Sequence, residues 1–306
     1  MGANDEMPEL APWQRWTKWA LIASAFAFPV PAALVALRSY RAEASGFAPH
    51  RHPVPLLGDA AELPGIAPVA FRSNGGTSKG WYVPSRNRCG VVLAHGSGTD
   101  RSALTPEATI LARSGFGVLV FDWPGHGESE GEIHWSDGER AALGAAIDWI
   151  SARADVEPAR VGAYGFSMGG YMLAQVAASD ARLRAVALAG TPPDPVEHTR
   201  WEYRRWGPIS QLPALWAVRR GGVPLDRFFP RELVARIAPR SLLVIGGAED
   251  DLVPPFMARE LYEAARDPKD LLLVEGAGHG GYERASGAFP GRLVSFFEKA
   301  LLKTAP

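Results

Sequence analysis

From about residue 65 the chain repeats one pattern: a short, unbroken apolar run, then a longer stretch with apolar positions at helical spacing. The runs are VVLAH (91–95), GVLVFD (117–122), RVGAYGF (160–166), RAVALAG (184–190), SLLVIGG (241–247) and DLLLVEG (270–276). Each is rich in Val or Leu and continuous rather than alternating, as strands buried on both faces of a parallel sheet are. Helical spacing is seen over Leu104–Arg113, Gly138–Ser151, Met168–Ala178, Pro255–Ala265 and Phe289–Leu302. Strands alternating with helices predict βαβ units and a doubly wound, mostly parallel α/β sheet. Ahead of them, Ala67–Arg72 and Trp81–Pro84 flank Asn74-Gly75-Gly76 and predict an antiparallel hairpin.

Two stretches break the rhythm. Residues 191–239 stand where one crossover helix would do, and they carry Trp201, Tyr203, Trp206, Trp216, Phe228 and Phe229 among many arginines. An insertion there predicts a cap over the carboxyl edge of the sheet, where open α/β sheets bind ligands. At the other end, Trp19–Leu37 holds no charged residue and is bracketed by Lys18 and Arg38. That is close to the ~20 residues a spanning helix needs. Trp13, Trp16 and Trp19 recur every three residues beside Arg15 and Lys18, a composition suited to a membrane–water interface. Residues 1–38 therefore read as an N-terminal hydrophobic helix anchoring the chain in a membrane, in either orientation. A secretory signal and a helix lying against the globular domain are the alternatives, and Pro29 and Pro31 favour the latter. Residues 39–64, punctuated by Pro49, Pro53, Pro55, Gly58 and Pro64, predict a linker, and 65–306 the globular domain.

With 306 residues, 47% of them hydrophobic, the chain has ample material for a packed core. A net charge of −1 argues against a dedicated nucleic-acid binder. The single cysteine, Cys89, excludes an intrachain disulfide framework and any multi-cysteine metal site. Charge is unevenly spread. From Val196 to Arg231, Arg200, Arg204, Arg205, Arg219, Arg220, Arg227 and Arg231 outnumber Glu197, Glu202 and Asp226. A basic, tryptophan-bearing cap suits anionic lipids or acyl groups bearing phosphate or carboxylate; a solvated face of locally paired arginines is the other reading.

The chemistry centres on Gly165-Phe166-Ser167-Met168-Gly169, a G-x-S-x-G segment between a predicted strand and a predicted helix. Such a turn lifts the serine hydroxyl out of the sheet at a helix N-terminus, where the Met168 N–H faces a developing oxyanion. A serine needs a base, and the base an orienting carboxylate. His279 follows the last predicted strand, flanked by glycines; Glu249, Asp250 and Asp251 follow the strand before it. Residue order alone leaves the acid open among these three. Of the other histidines, only His95 and His126 sit in comparable loops.

The stretch from about Phe71 to Leu302 resembles the α/β-hydrolase superfamily. Its members carry Asp-x-x-Val-Pro after the strand that precedes the histidine, and the first Asp is the triad acid. Here that segment is Asp250-Asp251-Leu252-Val253-Pro254, so the resemblance implies Asp250, with Asp251 as fallback. His95-Gly96-Ser97-Gly98 looks like the loop supplying the second oxyanion donor, which makes it the Ser97 N–H. Asp122-Trp123-Pro124-Gly125-His126-Gly127-Glu128-Ser129 looks like the family's D-x-P-G-H-G-x-S loop, a structural turn, so Asp122, His126 and His95 are expected to be scaffold. A hydrophobic N-terminus, a linker, Gly80-Trp81-Tyr82-Val83-Pro84 and a short cap together resemble the Bem46-like, membrane-anchored branch, whose members are thought of as esterases, lysophospholipases or acyl-thioesterases. Dehalogenases and epoxide hydrolases of this fold carry Asp at the nucleophile position and are disfavoured. The expectation is a serine hydrolase acting on a small-molecule or lipid ester or thioester at a membrane, without metal or organic cofactor. A serine peptidase of the same fold, for which the basic cap is a poor match, and a non-catalytic scaffold are the alternatives.

Overall fold

The structure, a computed structural model, describes residues 13, 16–20, 29–56, 61–73 and 76–302. Eight strands form one sheet: β1 (Ala67–Ser73), β2 (Gly76–Val83), β3 (Gly90–Ala94), β4 (Gly117–Phe121), β5 (Val161–Phe166), β6 (Leu183–Ala189), β7 (Ser241–Gly247) and β8 (Lys269–Val274). Their order across the sheet is β8-β7-β6-β5-β3-β4-β2-β1. The hairpin β1–β2 and the β2–β4 pair are antiparallel, and every other neighbour is parallel. Strands β3 and β4 are buried at every position, which is why their sequences are unbroken apolar runs. β2 starts well before the predicted Trp81, because Thr77, Ser78 and Lys79 are polar residues carried by register against β1 rather than by a hydrophobic signal. The predicted turn residues Asn74 and Gly75 lie outside the described residues.

Helices α2 (Thr105–Arg113), α3 (Asp137–Ser151), α4 (Met168–Ala177), α7 (Pro255–Ala264) and α8 (Phe289–Leu301) flank the sheet close to their predicted bounds. One apolar cluster, with Leu143, Ile147, Met172 and Leu173, packs α3 and α4 on one face. The other joins Leu104, Leu111, Phe116, Leu293 and Phe297 on the opposite face. Between β6 and β7 the predicted cap is present as α5 (Pro195–Glu202) and α6 (Pro208–Arg220), followed by short helical turns.

The N-terminal region departs from expectation. Helix α1 (Pro29–Ser45) runs through the expected boundary at residue 38 and packs along α6 of the cap. Tyr40 stacks on Trp216 with ring centroids 4.9 Å apart, and Ser39 is buried. Pro29 and Pro31 both lie in its first described turn. Residues 21–28 of the expected span lie outside the described residues, and among the described residues no helix is long and apolar enough to cross a membrane. Residues 50–54, expected as free linker, are strapped onto the domain. The His50 and His52 amides donate to the Gly125 and Gly127 carbonyls at 2.8 Å, and the Val54 carbonyl accepts from Arg101 at 3.0 Å.

Candidate active site

The strand β5 ends in the segment that turns into α4, and Ser167 sits at the corner with φ 53° and ψ −117°. A non-glycine residue at positive φ costs on the order of 1–3 kcal/mol and persists where its surroundings force it. Two glycines make the corner possible. A Cβ at Gly165 would lie 2.5 Å from the Gly169 carbonyl oxygen, and one at Gly169 would lie 2.0 Å from the Ala94 carbonyl oxygen. The chain can turn this tightly against β3 only without side chains at both places. Met168 opens α4, so its N–H is among those the helix leaves without an internal acceptor.

Asp250 and His279 leave the carboxyl ends of β7 and β8 on the same edge. The His279 Nδ1 is 2.8 Å from Asp250 Oδ2, while Asp250 Oδ1 accepts the Leu252 and Val253 amides at 2.9 and 2.8 Å. Asp250 is buried, so its carboxylate is fixed by those bonds rather than by water. Asp251 points elsewhere: it is exposed and pairs with Arg204 of the cap at 2.8 Å. Phe166 packs beside the His279 ring, centroids 4.9 Å apart. Ser97 follows Gly96, whose Cβ position lies 3.4 Å from the Ser167 Cβ. Ser97, Ser167 and His279 open into one cavity of about 470 Å³.

The remaining loop histidines are scaffold. His95 is fully buried; one ring nitrogen meets the Gly96 carbonyl at 2.7 Å and the other accepts the Trp123 amide at 3.2 Å. Burial pushes its pKa down to about 3, and that of His126 to about 4, so both rings are neutral. Asp122 is buried against the Arg101 guanidinium, which also reaches Glu128, and it accepts the Arg101 amide at 2.7 Å. Among the described residues no group of three or more His, Cys, Asp or Glu could hold a metal ion.

Several cavity residues carry no sequence signal. Glu43 and Phe47 come from the N-terminal region, Trp135 from the loop before α3, and His198 and Glu202 from α5. Their cue is tertiary: α1 and the cap close over the sheet edge together. Burial pushes the Glu43 carboxyl up to about 7, and nearby Glu202 adds to this while a hydrogen bond with Tyr203 opposes it. His198 is lowered to about 4 by burial and then by His279. No arginine or lysine lines the cavity among the described residues. The cap arginines are engaged elsewhere: Arg231 pairs with Asp194, Glu197 and Glu260, and Arg205, Arg220 and Arg227 lie over Trp206, Trp216 and Phe228. None of the cap arginines lines the cavity, although Arg205 borders the neighbouring one that Glu202 also lines.

A family model described as alpha/beta hydrolase fold matches residues 91–212. Uncharacterized protein Rv2307c of Mycobacterium tuberculosis is 30% identical over 244 residues, covering 78% of this chain and 80% of that protein. Uncharacterized protein YfhR of Salmonella typhimurium is 28% identical over 245 residues, covering 77% and 80% respectively. The solved structure of the Pyrococcus furiosus esterase PF2001 superposes with a TM-score of 0.68 at 19% identity, covering 83% of this chain and 98% of that one, a likeness of fold. The chain belongs to the α/β-hydrolase family.

Proposed function

We propose that the chain is a serine hydrolase that cleaves a carboxylic ester or thioester through an acyl-enzyme. The observation that carries this reading is the single cavity shared by Ser167, at its strained turn, and by His279, held on the buried Asp250. With Nδ1–H donated to Asp250, the His279 Nε2 is the free basic nitrogen. It takes the Ser167 hydroxyl proton as Oγ attacks the carbonyl carbon. The Met168 and Ser97 N–H groups hold the oxyanion of the tetrahedral intermediate. As the intermediate collapses, His279 returns the proton to the leaving oxygen or sulfur. A water deprotonated by His279 then attacks the acyl-enzyme, and Ser167 is regenerated with release of the acid.

The test is covalent labelling by a fluorophosphonate probe beside turnover of nitrophenyl esters of graded chain length. Ser167→Ala should abolish labelling and cut turnover on the order of 10⁴–10⁶-fold, with the fold intact. Covalent labelling of the Ala variant would overturn the assignment of the nucleophile.

A further inference from the structure

The charges lining the catalytic cavity are not those the cap composition suggests. Glu43 from α1 and Glu202 from α5 line it, and no arginine or lysine lines it among the described residues; Arg38 and Arg205 border a neighbouring cavity that Glu202 also lines. Neither carboxylate makes an ion pair with a described residue, whereas Glu197 in the same cap helix pairs with Arg231. Glu202 pushes the Glu43 carboxyl up, while the His279 ring acts on Glu202 in the opposite direction. A second observation is independent of charge. The His198 Nε2 is buried with no hydrogen-bond partner. His198 lines the cavity, and a buried ring nitrogen left without a partner is unfavourable.

An acidic pair that forms no ion pair with a described residue, next to an unpartnered ring nitrogen and beside aromatic rings, is complementary to a positively charged nitrogen that still carries N–H. Resting on the hydrolase reading above, we propose that Glu43, Glu202 and His198 form a subsite for an ammonium group on the substrate, placed beside the Ser167 nucleophile. The carboxylates supply the attraction, and His198 Nε2 accepts one N–H. Phe47, Trp135 and Tyr203 line the same cavity, where ring faces add to the attraction for a cation. The substrate class is an acyl ester or thioester bearing a primary or secondary amine.

Binding of hexylammonium, 1-hexanol and hexyltrimethylammonium to the full-length protein at pH 8, followed by titration calorimetry, tests the subsite without requiring turnover. Hexylammonium should bind at least roughly tenfold tighter than hexanol, the size expected of two partly screened charge pairs. The preference should fall to within about threefold in the Glu43→Gln/Glu202→Gln double variant. His198→Phe should weaken hexylammonium while sparing hexyltrimethylammonium, which has no N–H to give. Turnover should follow binding: in kcat/KM, 6-aminohexanoyl nitrophenyl ester should exceed the hexanoyl ester in wild type and lose that lead in the double variant. Equal binding of hexylammonium and hexanol to wild type, or a preference that survives both Gln substitutions, overturns the subsite. Fluorophosphonate labelling of the same samples reports the nucleophile separately, so loss of one reading is distinguishable from loss of the other.

Discussion

Asp250 gives its carboxylate oxygens to Leu252, Val253 and His279, whereas the exposed Asp251 carboxylate meets Arg204. Removing charge at the first leaves the imidazole without its orienting acceptor; at the second it removes a surface pair worth less than about 1 kcal/mol. Asp250→Asn should therefore cost roughly 10³–10⁴-fold in kcat, and Asp251→Asn less than about tenfold, read from nitrophenyl ester turnover. The reverse ranking would move the acid to Asp251. Glu43 makes a second residue-level prediction. Its folded pKa, about 7, lies above its ordinary value, so the folded state holds a proton the unfolded chain releases. Its contribution to stability is present at pH 4–5 and is lost as pH rises through about 7. Glu43→Gln should accordingly raise the melting temperature at pH 8 and leave it nearly unchanged at pH 5. A rise equal at both pH values would mean that the carboxylate is not desolvated.

Among the elements, those with their own hydrophobic period were legible in the sequence, and those held by partners were not. β7 was readable to the residue, because Ser241–Gly247 is an apolar run with both faces covered. The corner at Ser167 was readable because the motif carries its own glycines, Gly165 closed against Gly169 and Gly169 against the Ala94 carbonyl of β3. α1 was misjudged for a physical reason: a helix apolar enough for lipid is also apolar enough to lie on another helix, and sequence does not say which surface it meets. Glu43 was invisible for the same reason, since its place in the cavity follows from how α1 docks. Gly221 reports on that docking. A Cβ there would sit 2.5 Å from Phe47 ring carbons, although its φ of −69° is open to any residue. Gly221→Ala should push Phe47 out of its contact with Trp135, 6.2 Å between centroids, at a cost of about 1–3 kcal/mol. Because Phe47 lines the cavity, KM for nitrophenyl esters should change along with the melting temperature. A lower melting point with KM untouched would show that the ring does not shape the substrate site.

For the whole molecule, the docking of α1 divides the N-terminal region into two parts with different tasks. Residues 29–45 cover α6 and wall the cavity, so they belong with the catalytic body. Upstream, Trp19–Phe28 is uncharged, and Val30, Leu34 and Leu37 of α1 stay exposed. The exposed Trp13, Trp16 and Trp19 beside Lys18 suit a membrane surface, where indole rings sit at headgroup level. We propose that residues 1–28 attach the chain to that surface, while the stretch of α1 around Ser39, Tyr40 and Glu43 holds the helix to the cap. Deleting 1–28 should move the protein from the membrane to the soluble fraction with ester hydrolysis retained. Deleting 1–45 should uncover the α6 face around Trp216, remove Glu43 from the cavity, and give protein that aggregates or hydrolyses esters poorly. Fractionation of the full-length and both truncated proteins, with activity assayed in each fraction, separates the two tasks. Uncleaved full-length protein in the soluble fraction would overturn the attachment, and a fully active, monomeric 46–306 protein would overturn the role of α1 as a cavity wall.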